Sequence, residues 1–202
     1  MLLNKAANII IRKCMNLKSN ESCLVVTDFT LKGIGLSLFN ISSEITKKSK
    51  IIFIPIPEMH GCEPPKETAK EMLNFDVILL ATTKSLSHTK ARENASKTGA
   101  RIASMPGITT NIMERALNVD FNKIKKLNNK LIMKLINKNK IRIMTNNGTD
   151  AEFFIKGRRW ISDDGIYTKK GTFGNLPAGE VFIAPVEGRT SGMLVVDASV
   201  GG

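Results

Sequence analysis

Aromatic rings, cysteines and histidines are all scarce in this sequence of 202 residues. One Trp and one Tyr leave few flat rings on which single-stranded bases could stack. The three cysteines, Cys14, Cys23 and Cys62, are odd in number and scattered. No pair has the close spacing of a zinc knuckle, so they read as reduced thiols and not as a disulfide framework or a thiolate metal site. No stretch reaches the roughly 18 apolar residues that a membrane-spanning helix needs. Met1 to Arg12 lacks the unbroken apolar core and small-residue cleavage site of a signal peptide. The expected location is therefore the cytoplasm, with no membrane partner. Two nucleotide signatures are also missing: no Gly-x-Gly-x-x-Gly follows a strand, and there is no Gly-Lys-Ser/Thr phosphate loop.

Acidic residues are the minority charge, 18 against 30 Lys and Arg, which leaves a formal charge of +12. Such a balance invites a nucleic-acid reading. However, Lys, Asn and Ile are abundant along the whole chain, which looks like a bias of composition. Lys123, Lys125, Lys126, Lys130, Lys134 and Lys138 fall on one expected helix and read as its solvated face. No nucleic-acid partner is expected.

Apolar residues make up 42% of the chain, enough for a real core. Helices and strands are expected to alternate through the first two thirds. Strands are read at 22–27, 50–57, 76–81 and 101–104, and helices at 2–17, 31–47, 64–73, 87–98, 109–116 and 121–137. The helix at 31–47 tolerates Gly33 and Gly35 near its start, where a backbone can approach another element closely. Ser87 is the expected cap of the helix at 87–98, and Gly99 its stop. The strands are continuously apolar, not alternating, which marks a parallel sheet covered on both faces. Residues 1–138 thus read as a doubly wound, Rossmann-like α/β domain.

Residues 139–202 change character and read as the start of a β-rich, α+β unit. Strands at 140–145 and 149–156 flank the turn Asn146-Asn147-Gly148. Further strands are expected at 181–184 and 193–198. About 60 residues in a few strands bury little core. The unit reads as incomplete, with its last apolar strand running into Val200-Gly201-Gly202.

Glu180 is the residue that draws a chemical reading. It heads an apolar strand, after a turn fixed by Pro177 and Gly179, and a carboxylate that enters a buried strand must be paired, protonated or metal-bound. A salt bridge to one of the many Lys and Arg residues is the plainer alternative. His60 lies in the loop Met59-His60-Gly61-Cys62-Glu63, where a metal site is conceivable but no partner stands at helical spacing. Asp150 is expected to serve the adjoining turn.

The segment Asn175-Leu176-Pro177-Ala178-Gly179-Glu180-Val181-Phe182-Ile183-Ala184-Pro185 resembles the signature of the aminopeptidase T/aminopeptidase S family of two-metal peptidases. Other pieces agree in the same order: Ala81 to Thr89 with Ala91-Arg92, Ala103 to Ile108, Gly148-Thr149-Asp150, and Gly157-Arg158-Arg159-Trp160. The resemblance spans about residues 75 to 200. It implies an exo-acting aminopeptidase that acts on peptides, holds two divalent ions (zinc, cobalt or magnesium) through Glu, His and Asp, and pairs as a homodimer. Glu180 matches the family's first metal-ligand glutamate. The family's other ligands fall beyond residue 202, so the expectation is the amino-terminal part of such an enzyme, catalytically incomplete as it stands. Ring-cleaving dihydroxypyridine dioxygenases, which use a single iron, resemble the same family and are the alternative. A non-catalytic binding or dimerisation module is the third reading.

Overall fold

The computed structural model describes residues 2–198. The chain folds into two compact units. One comprises Met1–Phe121 with Asp163–Ala178, the other Asn122–Ser162 with Gly179–Gly202. The sequence alone suggests one cut at residue 138. In the structure the long helix after Phe121 goes with the β-rich unit, and a later segment returns to the α/β unit.

The first unit opens with helix α1 (Leu2–Asn8), which widens into a π-helical stretch at Ile9–Cys14. Then come β1 (Cys23–Asp28), α2 (Lys32–Ile45), β2 (Ser49–Ile54), α3 (Lys66–Met72), β3 (Val77–Ala81), α4 (Lys90–Lys97), β4 (Arg101–Ser104) and α5 (Thr110–Ala116). The second unit holds α6 (Phe121–Leu135) but for its first residue, β5 (Lys140–Met144), β6 (Asp150–Phe154) and β7 (Ile161–Asp163) but for its last. β8 (Phe173–Asn175) lies in the first unit, and β9 (Glu180–Phe182) and β10 (Thr190–Met193) in the second.

Five strands form one sheet in the order β2-β1-β3-β4-β8, and every neighbouring pair is parallel. Every residue of β1, β3 and β4 is buried, as strands covered on both faces require, including the polar Thr27, Asp28, Arg101 and Ser104 at their ends. On one face Leu24, Val26, Ile78, Leu80 and Ile102 pack with Met72 of α3 and Ala91 and Ala95 of α4. α2 lies against β1 and β2 and is in turn covered by α1. The doubly wound α/β fold expected from the sequence is what the structure has.

Gly35 explains how α2 comes so near the sheet. A Cβ there would stand 2.6 Å from Thr27 Cγ2, whereas Gly33 has nothing within 4 Å. One of the two glycines read as a close approach is one.

Three local expectations are corrected. The cap of α4 is Thr89, whose hydroxyl accepts from Arg92 N at 3.2 Å, because Ser87 is buried and bonded elsewhere. β8 carries no apolar run to announce it, being only Phe173-Gly174-Asn175. The last strand of the second unit lies at 190–193, not 193–198, because Gly192 fits opposite Ala151, where a Cβ would meet Asp150 O at 2.1 Å. The expected run into Val200-Gly201-Gly202 lies outside the described residues.

The second unit pairs β10, β6 and β5 in an antiparallel sheet. β5 and β6 form the expected hairpin, with Gly148 at φ 99° in its turn. Asp150 does not serve that turn. It accepts from Arg142 Nε and Nη2, both at 2.7 Å, across the ladder. β7 and β9 make a separate two-stranded pair. No helix among the described residues is long and apolar enough to cross a membrane.

Candidate functional site at the carboxyl end of the parallel sheet

Strand order reverses between β1 and β3: the chain leaves β1 toward β2 on one side, then crosses to β3 on the other. Doubly wound sheets bind ligands outside the carboxyl ends of their strands at such a point. Asp28, the last residue of β1, is fully buried there. Its Oδ2 accepts from Thr83 N at 2.5 Å, and its Oδ1 from Thr83 Oγ1 at 3.0 Å, Thr30 N at 3.0 Å and Leu31 N at 3.3 Å. These donors engage both oxygens. Asp28 therefore acts as a latch that ties the turn after β1 to the turn after β3.

The loops beside it are similarly tied. His60 Nδ1 accepts from Ser85 N at 3.1 Å, and Gly61 N donates to Ser85 O at 2.8 Å. The imidazole thus fastens its loop to the loop after β3. Glu63 accepts from Lys90 N at 2.6 Å and Ala91 N at 3.1 Å, and so satisfies the start of α4. Between β2 and α3 lies an open cleft of about 410 Å³, walled by Ile54, Pro55, Ile56, Pro57, Pro64 and Pro65.

Farther along the same edge, Ser87 Oγ lies 2.9 Å from Ser104 Oγ and 3.2 Å from Asn175 Oδ1. Arg92 Nε donates to Ser87 O at 2.7 Å, and its guanidinium sits 4.2 Å from the centre of the Phe173 ring. Burial lowers the Arg92 pKa. Arg92 thus faces an aromatic ring while it holds the turn before α4. Tyr167 Oη lies 2.6 Å from both Asp163 Oδ1 and Asn175 O, and Asn175 N donates back to Asp163 Oδ2 at 3.2 Å. Burial first, then the nearby Asp163 charge, pushes the Tyr167 phenol far up, so it remains a donor. The ring lies on Gly174, where a Cβ would stand 2.4 Å away. This network pins β8 to the sheet.

Glu180 sits at the head of β9 with its side chain exposed. Its backbone carbonyl accepts from Asn128 Nδ2 at 3.0 Å. The strand it heads is only half-buried, with Phe182 43% exposed, so the premise of a carboxylate entering a buried strand does not hold there. It does hold for Asp28, which ends the buried run of β1 and could have been singled out by the same argument. Among the described residues no three His, Cys, Asp or Glu side chains come together as a metal site. His60, His88 and Glu180 are not assembled into one. The donor set among the described residues does not fit a complete metal centre, whether of two ions or of one.

The family model described as NicX: 2,5-dihydroxypyridine 5,6-dioxygenase matches residues 12–199. This chain belongs to the NicX family. Among curated proteins no match is found. Two solved structures share the fold. One is 2,5-dihydroxypyridine dioxygenase from Pseudomonas putida, with a TM-score of 0.78 and 14% identity over 93% of this chain. The other is AmpT from Thermus thermophilus, with a TM-score of 0.64 and 16% identity over 95% of this chain. The NicX-family chain spans 57% of the first and 63% of the second.

The family match corrects the aminopeptidase reading. The segments that carried the resemblance, Ala81 to Thr89 and Asn175 to Pro185, lie in a fold shared by a dioxygenase and by AmpT. They mark the frame and not the reaction. The terms hydrolase and metalloprotease fall with that reading, and the dioxygenase alternative is the one the family and the first of these structures favour.

Proposed function

We propose that this chain supplies the α/β frame of a dioxygenase that opens the ring of a dihydroxylated pyridine. The family match across residues 12–199 carries the reading. An iron ion would be the cofactor, and its chemistry when bound would be to bring dioxygen and the electron-rich ring together. No step is assigned to it, because the described residues do not assemble its ligands. What these residues do is hold the carboxyl end of the sheet in one shape. Asp28 locks the switch point, Glu63 and His60 fix the neighbouring loops, and Tyr167 with Asp163 pins β8. Glu180 is proposed as a metal-side carboxylate on its motif alone.

The missing ligand cluster also favours a second reading, in which the chain is a non-catalytic scaffold. One construction separates the two. The part of the Pseudomonas putida dioxygenase with no counterpart here is joined to this chain in one polypeptide, loaded with ferrous iron and given 2,5-dihydroxypyridine. The dioxygenase reading predicts oxygen consumption that tracks loss of the ring. A folded, iron-loaded fusion that consumes no oxygen supports the scaffold.

A further inference from the structure

Asn147 is the one asparagine of the chain that stands before a glycine. It is exposed in the turn between β5 and β6. Gly148 N donates to Thr145 O at 3.1 Å and Thr145 N to Thr149 O at 3.0 Å, which closes the turn around Asn146 and Asn147. The positive φ of Gly148 is strained for any side chain, so glycine follows Asn147 for a conformational reason. The same choice has a chemical consequence, because no Cβ on Gly148 hinders the approach of its nitrogen to Asn147 Cγ. The turn also carries a hook, all of it within the second unit. Asn147 Nδ2 donates to Asp197 Oδ2. Thr149 Oγ1 accepts from Val195 N at 3.0 Å and donates to Val195 O at 3.3 Å. These bonds fasten residues 195–197, which follow β10, to the hairpin.

We propose that Asn147 is a site of deamidation, and that its conversion to aspartate or isoaspartate releases residues 195–197 from the hairpin. Solvent base takes the proton from Gly148 N, and that nitrogen bonds to Asn147 Cγ. The Cγ–Nδ2 bond breaks, and ammonia leaves with a proton from water. A cyclic imide joins the two residues. Water then opens it: attack at Cγ gives aspartate, and attack at the backbone carbonyl carbon of Asn147 gives isoaspartate. The sum is one water consumed and one ammonia released, with nothing oxidised or reduced. In the closed turn Gly148 N is engaged by Thr145 O, so the attack requires the turn to open. Four of the five residues of β5 are exposed, and a hairpin with so little buried surface opens locally at small cost. Conversion inverts the hook. Asn147 donates a hydrogen to a carboxylate, whereas the product sets a carboxylate against Asp197. A hydrogen bond is lost and like charges repel. Isoaspartate also adds a carbon to the main chain of the turn. Hydrolysis does not revert, so the released fraction grows with the age of the chain.

The test ages the purified full chain at neutral and at mildly alkaline pH. Peptide mass mapping follows the exchange of amide for acid, and an isoaspartyl methyltransferase labels the isoaspartate. Conversion is expected at Asn147 ahead of every other asparagine, and faster at alkaline pH. Asn147→Gln should convert far more slowly, because its longer side chain keeps the amide but does not close the small imide ring. Amide exchange at Val195 should quicken about tenfold or more in the converted chain. It should quicken equally in Asn147→Asp, a variant that carries the product from the start and needs no ageing. Exchange at Ala151 in β6 should keep the parent rate in both, which shows that the sheet is intact. No conversion at Asn147, or another asparagine converting first, overturns the site. Conversion that leaves exchange at Val195 unchanged overturns the release.

Discussion

Replacing Asp28 by Asn changes one atom at the carboxyl end of the parallel sheet, and its cost can be worked from the contacts. Three donors converge on Oδ1 and one, Thr83 N, on Oδ2 at 2.5 Å. In its best orientation the substituted amide keeps its oxygen where Oδ1 was and turns its NH₂ toward the Thr83 N–H. A donor then faces a donor in a buried place. One charge-assisted bond is lost, at about 1.5–3 kcal/mol, and Thr83 N is left unsatisfied, at about 1–3 kcal/mol. Some relaxation of the turn is available, so the net loss should be about 3 kcal/mol. Urea unfolding followed by circular dichroism measures it. Amide exchange at Thr30, Leu31 and Thr83 should quicken in the same variant, while exchange in β4 changes only by the global loss. A variant within about 0.5 kcal/mol of the parent, with Thr83 still protected, would refute the latch.

Three further outcomes follow from the same structure. Arg101 is buried and donates to both Glu21 oxygens, at 2.7 and 2.8 Å. Its hydrogen bond holds the Glu21 carboxyl below its ordinary range, and the Ser22 backbone N–H does the same for Asp76. Lowered folded pKa values mean that this stability is present in full above about pH 5 and is lost as pH falls through the folded values. The melting temperature should therefore drop as pH falls below about 5, and Glu21→Gln should lower it at pH 7 and flatten the drop; an unchanged acid slope counts against the pair. Tyr167→Phe removes the buried hydroxyl shared by Asp163 and Asn175 and should cost about 2 kcal/mol in thermal or urea unfolding; a neutral result would mean that β8 is held by other contacts. Gly35→Ala should cost about 1–3 kcal/mol through overpacking on Thr27, while Gly33→Ala, facing open space in a helix, should gain up to about 1 kcal/mol; equal effects in the two melting curves would contradict the close approach.

The α/β frame was legible because its signal is strong. β3 is an unbroken apolar run and β1 is apolar from Cys23 to Val26, and a parallel strand covered on both faces leaves no room for polar alternation. β8 was hidden because it is three residues long and held by polar contacts made by Tyr167, eight residues before Asn175, and by Ser87, which is far away in sequence. Asp28 was visible as the end of a strand, but its role depends on Thr83, which reaches it only through the crossover. Glu180 shows the reverse. Its motif stands out along the chain, yet the strand after it is half-exposed, so the burial argument lent it weight that the fold does not. Motif order was also the wrong guide to chemistry. The resembling segments lie in a fold that both a dioxygenase and AmpT share, and chemistry depends on a ligand set that the described residues do not assemble.

The most direct test of the account compares two reactions on the single-polypeptide fusion of this chain with the uncovered part of the Pseudomonas putida dioxygenase. One is oxygen uptake with ferrous iron and 2,5-dihydroxypyridine, and the other is release of amine from a leucyl chromogenic amide with cobalt or zinc. The proposed dioxygenase function predicts oxygen uptake in step with ring loss and no amide hydrolysis. Metal-dependent amide hydrolysis without oxygen uptake would contradict it.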